Sequence, residues 1–113
     1  MSETKLQPNG NASIVYNITV QPDQSVAEQW LQWQLLEQGP QVVATGCFTH
    51  FTVLRLLDVD EALGPTYAVQ YHSNSIELYL RFVQEFEYLH SRSTREKWGQ
   101  QLVFFETIMQ QVN

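Results

Sequence analysis

Apolar and polar positions alternate where the chain first becomes periodic. Ile14, Tyr16, Ile18 and Val20 take one side and Val15, Asn17 and Thr19 the other, the two-residue period of a strand with one strongly apolar face. Pro22 and Asp23 are expected to stop it. Ser25 reads as the N-cap of a following helix, with Glu28 three residues on as its capping-box partner. From Val26 to Gln38 the period lengthens. Val26, Trp30 and Trp33 fall near one line at about 100° per residue, and Ala27, Leu31 and Leu35 widen the stripe. Gly39 is expected to close this helix and Pro40 to enforce the stop, opening one short turn through Gln41–Gly46.

A second extended run goes from Cys47 to about Val59, and a third from Thr66 to Ser73, around a polar Gly-Pro segment at Asp58–Pro65. The two read as a long hairpin. A register that matches Phe51 with Tyr71 and Val53 with Val69 also sets His50 opposite His72 and Arg55 opposite Tyr67. Ser75 then caps a long helix from Ile76 to about Lys97. Its apolar face carries Tyr79, Phe82, Val83, Phe86 and Leu89, with Glu77, Arg81, Gln84, Glu85 and Arg92 opposite. Gly99 ends it, and Leu102 to about Met109 forms the last strand.

The order β-α-β-β-α-β is that of the ferredoxin-like, α+β fold. The expected sheet is antiparallel and four-stranded, in spatial order 4-1-3-2, with both helices on one face. Strands are expected near 14–21, 47–58, 66–73 and 101–110, and helices near 25–38 and 75–98. A polar tail at 1–13 precedes a single domain over 14–113.

Strand parity assigns Phe51, Val53, Tyr67, Val69 and Tyr71 to the helix side. The open side receives His50, Thr52, Leu54 and Leu56, then Thr66, Ala68, Gln70 and His72, then Val15, Asn17 and Thr19. The last strand adds either Val103, Phe105, Thr107 and Met109 or Leu102, Phe104, Glu106 and Ile108, each set having three apolar members, so its parity stays open. An open sheet face with so few charges is not that of a solvated monomer. Its area would exceed the roughly 400 Å² of apolar patch that monomers tolerate. A second copy across a two-fold axis is the simplest cover, in the manner of a dimeric α+β barrel.

Charge narrows the partners. Twelve acidic against six basic residues in 113 leave a formal net charge of −6. The Lys and Arg residues are scattered, so nucleic acid and anionic membrane surfaces are not expected as partners. The opening residues lack a charged region followed by an apolar stretch, and no apolar run approaches the roughly eighteen residues of a membrane span. A soluble cytoplasmic protein is expected. One cysteine, Cys47, allows neither an intramolecular disulfide nor a cysteine-based zinc site.

Several stretches together resemble a family of short bacterial proteins. They are Tyr16-Asn17-Ile18-Thr19-Val20, Trp30 and Trp33, Pro40-Gln41-Val42-Val43-Ala44-Thr45-Gly46-Cys47-Phe48, Thr66-Tyr67-Ala68-Val69-Gln70-Tyr71 and Phe104-Phe105-Glu106-Thr107. The family is the domain of unknown function 4286, and the resemblance covers about residues 14–112. It implies a ferredoxin-like fold, often paired into a dimeric α+β barrel, and brings no established activity or catalytic residues. The polar stretch before Ile14 has no counterpart in the family's usual short N-terminus.

Candidate chemistry is sparse. Cys47 and His50 are three apart, which on a strand points them to opposite faces, so they do not make a metal pair. His50 and His72 share a face and could act as acid and base or as two ligands, but a hydrogen-bonded pair at the rim of a dimer is the better account. Asp58, Asp60 and Glu61 lack the Gly and distal Glu of a calcium loop. No glycine-rich phosphate loop, nucleophile elbow or redox cysteine pair occurs, so no cofactor is expected.

Arg55 stands out, a cation sharing its parity with Tyr67 and Tyr71. If the protein binds a small molecule, the three are expected to hold an organic anion by charge, hydrogen bonding and stacking. The simpler account of Arg55 is a side chain that runs past the sheet edge towards an Asp or Glu. With no nucleophile beside them, a binding module without catalysis is the first expectation. The alternative is a cofactor-free enzyme of the monooxygenase or isomerase kind, for which Asn17, Trp33, Arg55, Tyr67, Tyr71 and His72 are the candidates.

Overall fold

A four-stranded antiparallel sheet organises residues 12–113, the part of the chain that the computed structural model describes; the tail expected at 1–13 lies almost wholly outside it. The strands are β1 (Ile14–Pro22), β2 (His50–Arg55), β3 (Tyr67–Ser73) and β4 (Leu102–Gln110), in spatial order β2-β3-β1-β4. The helices are α1 (Ala27–Trp33), α2 (Gly39–Val43), α3 (Ile76–Glu85) and α4 (Glu87–Trp98). This is the expected ferredoxin-like α+β order, and the hairpin register is also as expected: His50 pairs with His72, Phe51 with Tyr71, Val53 with Val69 and Arg55 with Tyr67.

The sheet's inner face and the helices enclose an aromatic core. Tyr16, Val69, Tyr71, Trp30, Trp33, Phe48, Phe82 and Trp98 are all buried in it. Trp30 stacks on Tyr67 with ring centroids 5.4 Å apart, and Phe48 meets Phe82 edge-on at 5.0 Å. Aromatic pairs at these separations add to the stabilisation from burial.

Local chemistry departs from the expected boundaries in four places. Asp23, not Ser25, begins the first helical stretch, accepting a 3.0 Å hydrogen bond from the Ser25 amide before a 3₁₀ turn at Gln24–Val26. β2 is shorter than expected because Cys47 and Phe48 turn into the core ahead of it, after Gly46 at φ +84°.

Third, Gly39 does not stop the helix. It has helical angles, and its amide donates to the carbonyl of Gln34 five residues back, closing a wide π turn over Gln34–Gln38. Proline within a helix lacks a donor and crowds the carbonyl four residues behind it. The wide turn relieves that crowding and lets the helix run on through Pro40. Glycine is needed at position 39 for a different reason, since a Cβ there would overlap the ring of Phe51.

Fourth, the helix after β3 is divided. Ser75 caps it as expected, its hydroxyl accepting from the Leu78 amide at 3.2 Å. Phe86, at φ −127° and ψ −26°, then interrupts it. The interruption changes the phase of α4. Leu89, expected on the apolar face, is 62% exposed, whereas His90, Thr94 and Trp98 turn inward at four-residue spacing.

The β1–β4 register settles the parity of the last strand. Tyr16 pairs with Ile108, Ile18 with Glu106 and Val20 with Phe104, so Leu102, Phe104, Glu106 and Ile108 lie on the helix side. β4 is uncovered on both sides: Phe104 and Ile108 are exposed on one, and Val103 and Phe105 on the other.

Candidate ligand-binding site

The space left beside α4 and above β4 is a cavity of about 80 Å³. That is room for several water molecules, at about 10–15 Å³ of such volume each. β1 and β3 contribute Tyr16, Ile18, Val20, Val69 and Tyr71, β4 contributes Phe104 and Glu106, and the first helix contributes Trp30, Trp33, Gln34 and Gln38. α4 closes one side with Glu87, His90, Ser91, Thr94 and Arg95, the residues its changed phase brings round.

Two buried amides form part of the lining. Gln34 Nε2 donates to the Tyr71 hydroxyl at 2.8 Å. Burial pushes the Tyr71 phenol up to about 12, outweighing the opposite effect of that bond. Gln38, 9% exposed, also lines the cavity. The wide turn at Gln34–Gln38 places both amides on the cavity side.

Two carboxylates, Glu87 and Glu106, also border the cavity. Tyr16 donates to Glu106 Oε2 at 2.7 Å. Burial, then the bond to Glu106, raises the Tyr16 phenol far above its ordinary value, so it stays a donor. Burial, then the charge of Glu106, raises Glu87 above the usual carboxylate range. Burial lowers His90, which favours its neutral form.

The residues singled out from the sequence are divided by the fold. Tyr71 lines the cavity. Tyr67 is buried beneath Trp30. Arg55 pairs with Tyr67 across the hairpin but is half exposed and engaged elsewhere. Its Nη2 and Nε meet the two oxygens of Glu61 at 2.6 and 3.2 Å, outside the cavity lining. Trp33 lines the cavity, and Asn17 lies on the other sheet face, accepting from Gln70 at 3.2 Å. His50 and His72 stack on that same outer face. Cys47 is fully buried, and among the described residues no three His, Cys, Asp or Glu side chains converge as a metal site requires.

Glu87, His90 and Glu106 were not singled out by sequence reasoning. Glu106 carried the one available signal, a carboxylate amid the apolar residues of β4. His90 was hidden because its inward turn depends on the interruption at Phe86.

No helix among the described residues is long and apolar enough to cross a membrane. No curated protein matches the chain in sequence. A dimeric ferredoxin-like protein from an uncultured marine organism shares the fold at a TM-score of 0.63 and 10% identity, over 90% of this chain and 97% of that one. The family model for a domain of unknown function, DUF4286, matches residues 13–112, essentially all of the folded part, and the chain belongs to that family.

Proposed function

We propose that the protein is a homodimeric module that binds a small organic molecule in the cavity between the sheet and α4. The cavity carries this reading: concave, walled by aromatic rings, and furnished with a few convergent polar groups, as small-molecule sites are. Tyr71 belongs to that site, and Arg55 stands apart from it at the end of the hairpin. Support for the dimer comes from the outer sheet face, where Leu54 is 51% and Phe105 62% exposed. The solved neighbour of like fold is described as dimeric.

A cofactor-free enzyme is the second reading. It is favoured by Glu87 and His90, one turn apart on α4 and both facing the cavity, with protonation equilibria shifted by burial.

A fragment screen by NMR on the isotope-labelled protein tests the cavity. Bound fragments should perturb the indole N–H of Trp33 and the amides around Gln38 and Thr94. Ser91→Trp, at the exposed edge of α4, should block them without lowering the melting temperature. Perturbations confined to other surfaces, or equal affinity in Ser91→Trp, would sink the reading. Turnover of a bound fragment would favour the enzyme instead.

A further inference from the structure

We infer that the outer sheet face, the proposed contact between two copies, is an acid-sensitive interface whose sensor is the His50–His72 pair. This rests on the reading of the protein as a homodimer that meets through that face. The two residues are register partners on β2 and β3, and their rings stack on the outer side. The same row continues across the sheet through Val15 of β1 and Met109 of β4, so the pair belongs to the face itself.

The rest of that face offers no counter-charge. By register, the other outward positions of all four strands are apolar or uncharged, with Asn17, Gln70 and Thr107 across the middle. The imidazoles meet hydroxyls: Thr49 Oγ1 lies 2.8 Å from His50 Nδ1, and Thr52 Oγ1 3.4 Å from His72 Nε2. Neither ring pairs with a carboxylate among the described residues. Asp58, Asp60 and Glu61 lie past Arg55, which is itself about 17 Å of strand from His50. The carboxyl group of Asn113 follows β4, two strands across from His72, and Gln111 donates to it at 3.0 Å. Glu87, His90 and Glu106 surround the cavity on the other side of the sheet. Glu77 is in the first turn of α3, which packs on that same side through Phe82.

A second copy laid on this face removes water from the pair and supplies, by symmetry, the same uncharged surface. Neutral imidazoles tolerate that. A proton on one ring has no partner there, and protons on both rings repel at stacking distance. Burial and the neighbouring imidazole already lower His72 in the single chain. Covering the face lowers it further, which fixes the sign. Association is at full strength above the imidazole value near 6.5 and is lost as pH falls below it. The overall charge works the other way. Acid shrinks the net charge of −6 and relieves repulsion between copies, so weakening in acid singles out the pair.

Sedimentation equilibrium of the full chain at pH 7.5, 6.5 and 5.5 tests this, at constant ionic strength and with circular dichroism to follow the fold. The dissociation constant should rise at least about tenfold between pH 7.5 and pH 5.5. His50→Gln combined with His72→Gln should abolish that rise, leaving association equal or tighter in acid. Should the variant or the acid sample fold poorly, NMR of the unaltered protein gives the reciprocal reading. The His72 ring should titrate at lower pH in the concentrated dimer than in the dilute monomer. A dimer equally tight or tighter at pH 5.5, or a double variant that weakens as much, would overturn the sensor while leaving the dimer in place. So would a His72 titration that does not depend on concentration. A monomer at every pH would overturn both.

Discussion

His50 and His72 lie ring over ring across the β2–β3 ladder, their centroids 4.3 Å apart and their planes 1° from parallel. Burial, and behind it the neighbouring imidazole, lowers the pKa of His72. A histidine lowered by folding binds its proton more readily in the unfolded chain. Its contribution is therefore fully present above the unfolded value near 6.5 and is lost as pH falls from there through the folded value. His90 acts in the same direction, while Glu87, raised by folding, acts oppositely from 4.5 upward. The melting temperature should fall between pH 7 and pH 5, and His72→Gln should reduce that fall. An identical pH profile in the variant would refute the role given to the pair.

The outer face should carry the dimer. Leu54→Asp and Phe105→Asp each place a charge where a second copy is proposed to pack, and burying it unpaired is strongly unfavourable. Sedimentation of the unaltered protein should give twice 13.2 kDa, with at least about 1,200 Å² buried in total if the dimer is stable. Either variant should shift the equilibrium towards monomer. A monomeric unaltered protein would end the proposal.

Removing one or the other partner of the Tyr16–Glu106 bond should have unequal consequences. Tyr16→Phe frees a carboxylate that is already exposed and can hydrate, so the loss should be about 1 kcal/mol. Glu106→Ala leaves a buried hydroxyl without its acceptor, at a cost of about 1–3 kcal/mol. Urea unfolding of the two single variants measures the difference, and a reversed order would contradict it.

Two glycines should differ in whether they can be rescued. Gly64 has φ +126°, and a Cβ there would lie 2.8 Å from the Pro22 carbonyl oxygen. Gly64→Ala should destabilise by about 1–3 kcal/mol, because both the backbone angle and a backbone neighbour oppose it. Gly39→Ala meets only the Phe51 ring. Phe51→Leu should recover most of that loss in the double variant, and additivity of the two changes would argue against the contact.

Arg55→Ala should leave fragment affinity in the cavity unchanged, since its guanidinium is spent on Glu61 at the exposed end of the hairpin. A measurable loss of affinity would restore Arg55 to the site.

The strand order and the β2–β3 register were legible because alternation at period two is local and one face of each strand is strongly apolar. The parity of β4 was not. Its two alternations are equally apolar, and the structure shows why neither was selected against: Phe104 and Phe105 are both exposed, so no core discriminates between them. The inward position of Tyr71 was legible from parity, since every second residue of β3 is buried. Gln38, Glu87 and His90 depend on a wide turn and an interrupted helix. Such shifts of phase arise from packing against the sheet and leave no period of their own in the sequence.

The wide turn also determines where this helix could lose a residue. Between Trp33 and Val42 the chain holds one more residue than regular winding requires. Leu35 and Leu36 are exposed within that turn, so a single-residue deletion there would leave Trp33 and Val42 both directed at the sheet. Made elsewhere along the helix, the same deletion would swing one half by about 100° and pull an aromatic anchor out of register. A shortened turn would also bring the ring at position 40 back against a helical carbonyl, so a chain one residue shorter here should carry something other than proline at that place.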